Sequence, residues 1–471
     1  MAPRLTRRPP GVPEDPLTAT TPALGGTLPA ELRALWRLAW PVVLSNLGAM
    51  GMGVVDTVMT GAFGGDALAA VALATTWGWG VAVVARNVAK GLDPLVAQAF
   101  GAGQHEKARR HLVQALVLAL ALSLPVALLH LVAARGLGLL GQPAALLPLA
   151  GQYSTVMALG VPMMMVVAFL QQFFQALGIV RPFTVAIVLA NLLNVGLNLL
   201  FMHGLGAWPG MGPIGCAWSS VIGMAFMLAV VVALTRRELA RWWPQDWRRV
   251  AGHGADLRAV LILGLPVGLQ IAIETWGFQF AGVMVGWLGE DPLAAHSVVM
   301  NLATVSFMVP LGIGAAAATR VGHQVGAGQP WGRAAATALV CGGGVMVLSA
   351  TLFSLFPGAL ARIYTQDAAV LAIAVVLLPL AGTFQLFDGL QAVGFGVLRG
   401  LADVRVPALI NILAYWLLGL PLGWALAFPA GLGARGLWMG LVVSLALVAM
   451  SLLARIAWLH RRGVRRVVEG G

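Results

Sequence analysis

The stretch GAFGGDALAA at residues 61–70 returns as GWLGEDPLAA at residues 286–295, with six of ten positions unchanged, and this recurrence organises the rest of the chain. Gly61, Gly64, Asp66, Leu68, Ala69 and Ala70 fall on Gly286, Gly289, Asp291, Leu293, Ala294 and Ala295, an offset of 225 residues. The same offset carries Gly101-Ala102-Gly103-Gln104 onto Gly326-Ala327-Gly328-Gln329 and Pro41-Val42 onto Pro266-Val267 without a gap. Pro182 lands on Pro407 in the same frame. An internal repeat is read before local structure because it sets the architecture.

Composition says what is repeated. Of 471 residues, 59% are apolar and 10% charged, with a mean hydropathy of +0.87. Soluble domains carry about a quarter charged residues, so this chain belongs in lipid. Apolar runs begin near Leu35, Leu68, Leu112, Leu146, Phe183 and Ala217, then near Val260, Pro292, Ala335, Ala368, Val406 and Leu437. At about 20 residues per span, the length suits twelve transmembrane helices and leaves no room for a sizeable soluble catalytic domain. The expected fold is an all-α integral membrane protein of two pseudo-symmetric six-helix lobes. Six helices per repeat is an even number, so both halves enter the membrane from the same side. They should be related by an axis along the membrane normal, with a substrate site near the midplane. A repeat with only structural meaning is the alternative. The 59 glycines are expected at close helix contacts.

The first 34 residues hold seven prolines and no apolar core, which predicts a disordered tail rather than a secretory signal. The expected divisions are a tail over 1–34, an N-terminal lobe over 35–235, an interfacial connector over 236–258, a C-terminal lobe over 259–459 and a basic tail over 460–471. The connector interleaves Trp242, Trp243 and Trp247 with arginines, as interfacial segments do. The net charge of +12 resides in connections and reports orientation, not nucleic-acid binding. With both termini in the cytoplasm, 24 basic residues fall inside and only Arg135, Arg362 and Arg435 outside. This bias predicts a multi-pass protein of the cytoplasmic (inner) membrane in that orientation. Cys216 and Cys341 imply neither a disulfide framework nor a Cys-based metal site. A monomer in contact with membrane lipid is expected.

Two G-x-G-x-x-G matches, Gly210/Gly212/Gly215 and Gly431/Gly433/Gly436, lack the strand and βαβ unit that a dinucleotide site requires. They read as close turns before helices six and twelve. The histidines show no metal-ligand spacing, and no cofactor is expected.

Acids inside apolar spans carry the functional signal. Asp56, Glu274 and Asp388 sit deep in such runs, where an ionised side chain costs about 2.5–3.5 kcal/mol on insertion scales. Their repeat equivalents are Ala281, Ala49 and Met163, so the scaffold itself demands no acid there. Low dielectric disfavours the charged carboxylate and a bound cation favours it, which suits exchange of H+ or Na+ against a cationic substrate. The rival reading is an acid that merely ties helices together. Gln270 lies one turn before Glu274, Gln385 three residues before Asp388, and Thr60 one turn after Asp56. Asn194 and Asn198, spaced i, i+4, could complete a small-cation site in the first half, although amides also serve as glue between helices. Gln270, Phe278, Asn301, Phe384 and Gln385 are the candidates for a substrate cavity. Arg86, Lys90 and Asp93 share one helix face. They form either an internal ion pair with snorkelling basic chains or a basic cavity wall that attracts an anionic group.

These residues resemble the multidrug and toxic compound extrusion (MATE) family. The resemblance rests on PVVLSNLGAMGMGVVDTVMTG from Pro41 to Gly61 and GLDPLVAQAFGAGQ from Gly91 to Gln104. In the second half it rests on NLATVSFMVPLGIGAAAATRVGHQVGAGQ from Asn301 to Gln329 and FDGLQAVGFGVLRG from Phe387 to Gly400. It extends from Leu35 to Leu459. Family membership implies a twelve-helix exporter that exchanges Na+ or H+ for organic cations or other drug-like substrates by alternating access. The pattern is most similar to the NorM-like branch, whose acids in helices one, seven and ten match Asp56, Glu274 and Asp388. Asn194 and Asn198 match that branch's fifth-helix asparagines. Phe384 stands where relatives can carry a tyrosine, which removes an oxygen donor for Na+ and favours H+. Arg86 and Lys90 lie outside the pattern. A flippase for a lipid-linked anionic precursor, expected to have an Arg- and Lys-lined cavity, is the alternative. An intramembrane lipid-modifying enzyme is the remote one.

Overall fold

The computed structural model describes residues 27–204, 209–251, 254–464 and 466–467. Twelve helices in it are long and apolar enough to cross a bilayer. In chain order they are α1 (Leu28–Gly61), α2 (Gly65–Gly101), α3 (His105–Leu131), α4 (Leu147–Ala176), α5 (Arg181–His203) and α6 (Pro213–Trp242), then α7 (Gly254–Gly286), α8 (Glu290–Gly326), α9 (Gly332–Leu355), α10 (Ala368–Gly400), α11 (Arg405–Ala427) and α12 (Ala434–Arg462). Helices satisfy every backbone group internally, the condition lipid imposes. Three departures from α geometry matter later. A 3₁₀ turn at Ala89–Gly91 interrupts α2, while π turns occupy Leu199–His203 of α5 and Leu413–Gly419 of α11.

The repeat is visible in the turns. Gly64 and Gly289, one repeat apart, adopt φ of 102° and 120° at the starts of α2 and α8, a backbone region that favours glycine. The two glycine triplets behave as the sequence predicts: Gly212 and Gly433 have φ of 58° and 56° and precede α6 and α12.

Between the halves, α2 crosses α8 at a point where the repeat folds onto itself. A Cβ at Gly101 would lie 2.2 Å from the His323 carbonyl oxygen, and one at Gly326 would lie 2.1 Å from the Gln98 carbonyl oxygen. Gly101 and Gly326 are repeat equivalents, as are Gln98 and His323, so the two contacts are mirror halves of one pseudo-twofold crossing. The first helix of each half then lies on the other half. A Cβ at Gly312 of α8 would be 2.5 Å from the Val43 side chain of α1, and one at Gly264 of α7 would be 2.1 Å from the Val88 oxygen of α2.

Polar groups fasten the same end. Arg320 donates to both oxygens of Glu31 at 3.0 and 2.7 Å, and both residues are buried. Gln98 donates to the Gly400 carbonyl at 3.0 Å, and Thr319 reciprocates from the other half toward the Gln175 carbonyl at 3.1 Å. These bonds lie at the end that carries both termini. Toward the opposite end the halves share no hydrogen bond, ion pair or ring contact among the described residues. At Gly53 and Gly80 there is open space where a side chain would stand.

Two sequence expectations change. Helix α1 starts at Leu28, so Glu31, assigned to the tail, is instead a buried ion-pair partner within a helix; residues 1–26 of that tail lie outside the described residues. The buried Glu31 is compensated by Arg320, 289 residues away in the sequence, which no local pattern announces. Trp242, assigned to the interfacial connector, ends α6 and is 2% exposed, with its ring 6.0 Å from Phe100 and 6.3 Å from Phe173. Trp243 and Trp247 remain exposed, with their rings tilted against each other at 6.2 Å.

Crowding at the crossing can be tested. Gly326→Val should oppose closure of the terminal end, since overpacking costs about 1–3 kcal/mol. In a background lacking the native cysteines, reactivity of Thr319→Cys toward an impermeant maleimide should rise at least about fivefold. Unaltered reactivity in the folded variant would contradict the packing described.

Candidate functional site

Glu274 is near the middle of α7, and α10 and α11 converge on it. Gln391 donates to Glu274 Oε1 at 2.7 Å and Asn411 donates to Oε2 at 3.0 Å. Gln270, one turn earlier on α7, also reaches the carboxylate. Gln391 lies three residues beyond Asp388, which places the two on the same face of α10. Asp388 is 7% exposed, within electrostatic reach of Glu274, and accepts no hydrogen bond from a described residue. The pair is therefore uneven: one carboxylate has both oxygens saturated by amides, and the other is bare. Phe278 packs edge-on against Phe384 at 5.8 Å and Tyr415 at 5.5 Å, forming an apolar wall beside the pair. Among the described residues the buried Tyr415 hydroxyl has no hydrogen-bond partner.

In the first half, Asp56 is held by α5 and α6. Asn198 donates to Oδ1 at 2.7 Å and Ser220 to Oδ2 at 3.1 Å, while Asn198 also donates to Asn194 Oδ1 at 3.2 Å. Asn194 and Asn198 are fully buried, and the π turn of α5 begins at the next residue. Thr60 turns back to the Asp56 carbonyl oxygen at 2.7 Å and does not serve the carboxylate.

A separate cavity of about 170 Å³ lies wholly within the first half, between α1, α2, α4, α5 and α6. Met52, Met164, Met224 and Met227 supply much of its wall, and Asn46, Arg86 and Gln171 its polar part. The Arg86 guanidinium stands 5.4 Å from the centre of the Trp79 ring.

Two expected pairings do not form, and one cavity candidate lies apart. Asp93 pairs with Arg399 of the other half at 2.7 Å and accepts from Gln172, leaving Arg86 and Lys90 outside ion-pairing distance. The 3₁₀ turn at Ala89–Gly91 alters the register on which their shared face was inferred. Gln385 does not turn to Asp388; it donates to Ser306 at 2.6 Å and accepts from Ser349. Asn301 is exposed and donates back to the Ser297 carbonyl at 2.9 Å, apart from the acids. Lys90 lies within electrostatic reach of Arg399, Asp93, Arg86 and Glu274.

Sequence reasoning passed over Gln391, Asn411, Tyr415 and Ser220. Asn411 was detectable as a lone amide in an apolar run, and Gln391 by its spacing from Asp388. Among the described residues no group of three or more His, Cys, Asp or Glu side chains could hold a metal ion.

The MatE family model matches residues 41–200 and again 266–425, two segments separated by the same 225 residues as the internal repeat. A probable multidrug resistance protein NorM of Burkholderia pseudomallei is 36% identical over 447 residues, covering 92% of this chain and 94% of the relative. The multidrug resistance protein PmpM of Pseudomonas aeruginosa is 33% identical over 453 residues, covering 93% of each. Among solved structures, the eukaryotic MATE transporter AtDTX14 is similar with a TM-score of 0.79 and 25% identity, covering 92% of this chain and 98% of that one. An outward-facing multidrug resistance MATE transporter shares the fold at a TM-score of 0.84 and 18% identity, covering 92% and 97%. With matches across both halves and nearly the full length, the chain belongs to the multidrug and toxic compound extrusion family: it is a multi-pass membrane transporter and not an enzyme.

Proposed function

We propose that the chain exports organic cations from the cytoplasm across the cytoplasmic membrane in exchange for inward protons. The observation that carries this reading is the uneven pair of Glu274 and bare Asp388 in the middle of the second half. Two neighbouring carboxylates in low dielectric cannot both stay charged and uncompensated, so a proton or a cationic substrate neutralises the pair in turn. Protons suit the geometry better than Na+. The amides of Gln391 and Asn411 present N–H groups to Glu274, and those of Asn198 do the same to Asp56. Such donors hold Glu274 and Asp56 as carboxylates and occupy the edges a Na+ ion would use, which leaves the bare Asp388 as the group to take up a proton.

The basic bias supports a cytoplasmic position for the fastened end, with both termini. On that reading the fold is closed inward and parted outward. Export follows if residues 35–235 and 259–459 rock as lobes about the α2–α8 crossing while the occupant of the pair selects the open side. Inward passage of one charge at 100 mV supplies about 2.3 kcal/mol, enough for a modest outward gradient. The relatives' description as multidrug resistance proteins accords with a site that presents charge and aromatic surface rather than a fixed hydrogen-bond template.

Two outcomes are expected in proteoliposomes. Glu274→Gln and Asp388→Asn should each lower gradient-driven efflux of ethidium at least about tenfold while leaving a monodisperse helical protein; export undiminished in the double variant would reject the assignment. A pH gradient imposed alone should drive efflux. A Na+ gradient at equal pH should not, and the reverse result would transfer the coupling to Na+.

A further inference from the structure

We propose that Gly463, Val464, Arg466 and Val467 form a strap that holds the terminal end shut, and that opening of this end requires its release from Gln98. Helix α12 stops at Arg462 because Gly463 turns the chain with a φ of 80°, its N–H returning to the Leu459 carbonyl at 2.9 Å. One repeat earlier, at Glu238, α6 runs on without a break to Trp242. The turn at Gly463 is thus a departure from the repeat, and it leads the chain from the second half to the first. Val464 still packs against the core of the second half. Three residues on, Val467 packs against the core of the first half, and its N–H donates to Gln98 Oε1 at 2.9 Å. Between them the Arg466 guanidinium lies over Gly328, where a Cβ would meet Nη2 at 2.7 Å. At Gly103, the repeat equivalent of Gly328, a Cβ would meet nothing within 4 Å, so the strap covers one side of the pseudo-twofold crossing.

Gln98 is where the strap acts. Its side chain sits fully buried in the α2–α8 crossing, donates through Nε2 to the Gly400 carbonyl of α10 and accepts through Oε1 from Val467. Both ends of one first-half amide are therefore held by the second half and the chain that leaves it, and parting the halves here breaks both bonds. A buried acceptor deprived of its donor is costly, so Gln98 opposes separation until another donor reaches it. The strap is also short. Three residues span at most about 11 Å, so the chain cannot stay on both cores once the halves move apart by more than that reach. Val464 follows α12 almost directly, whereas Val467 is held by one hydrogen bond and a half-buried side chain, which makes Gln98 the point of release. The strap thus biases the fold toward the state closed at its terminal end. As a regulator of transport it rests on the reading that the halves rock as lobes. Its docking is a property of the fold itself and is measured with neither gradient nor substrate.

The test uses the protein in phosphatidylcholine nanodiscs, in a background lacking the native cysteines. Thr319→Cys serves as a buried reporter beside the crossing, and its rate of labelling by an impermeant maleimide reads the opening. A stop after Gly463 should raise that rate about tenfold, the order expected when one buried hydrogen bond and the apolar contact beside it are lost. A stop after Val467 should leave the rate as it is. Val467→Pro removes the N–H donor and should raise the rate about fivefold, more than Val467→Ala, which keeps the donor and trims only the side chain. Unchanged labelling after the stop at Gly463, or an equal rise after the stop at Val467, would overturn the proposal. Should the shortened chain fail to fold, the proline and alanine variants still decide: equal rates in those two overturn the role given to Gln98, and a faster proline variant upholds it. Ethidium efflux does not enter this readout, so failure of the exporter reading and failure of the strap give different results.

Discussion

Close approach of α2 to α8 is the constraint from which the rest of the structure follows. Each helix offers a glycine where the other presents a backbone carbonyl, and each of these contacts is the repeat image of the other. No side chain larger than hydrogen fits at Gly101 or Gly326 without moving the opposing backbone. Dispersion and helix proximity, rather than water exclusion, hold such a contact in lipid. The buried Glu31–Arg320 pair and the reciprocal carbonyl bonds of Gln98 and Thr319 lie beside it. A buried ion pair adds little net stability because desolvation opposes attraction, but it defines one register sharply. The crossing supplies contact, and the polar bonds supply its specificity.

Against this symmetric frame the charged groups are asymmetric. Asp56 is retained by side chains of its own half, Glu274 by side chains of its own half, and neither has an acidic counterpart across the pseudo-axis. Asp93 reaches across to Arg399, as Glu31 does to Arg320. The scaffold is repeated, and each half carries its own chemistry on it. The second half carries adjoining carboxylates beside an aromatic wall, and the first carries Asp56, bound by Asn198 and Ser220, and a cavity lined in part by Arg86.

Much of this was legible in the sequence because periodicity and repetition are properties of a chain read in order. The twelve apolar runs, the glycine turns before α6 and α12, and the three acids needed no knowledge of neighbours. What escaped were the partners. Gln391 and Asn411 are 117 and 137 residues from Glu274, and no pattern within α7 announces them. The expected pairing of Gln385 with Asp388 failed for the complementary reason: helical spacing says which side chains could meet, and Ser306 and Ser349 on adjoining helices offered Gln385 better geometry. Phe384 offers no oxygen donor, yet Tyr415 brings a hydroxyl to the same aromatic cluster from α11. Trp242 looked interfacial beside arginines, but a single residue's fate depends on whether a pocket receives it, here one made by Phe100 and Phe173.

The wide turns of α5 and α11 sit directly after the amides that grip the acids, beginning one residue beyond Asn198 and two beyond Asn411. A π turn closes its hydrogen bonds over five residues rather than four and so stores a surplus residue in an otherwise continuous rod. Tightening such a turn to ordinary winding would swing everything on one side of it by about 100° relative to the other, the rotation of a single helical step. Asp56 and Glu274 are therefore each tethered next to a natural swivel, and a change at either carboxylate has a short mechanical path to the far end of α5 or α11.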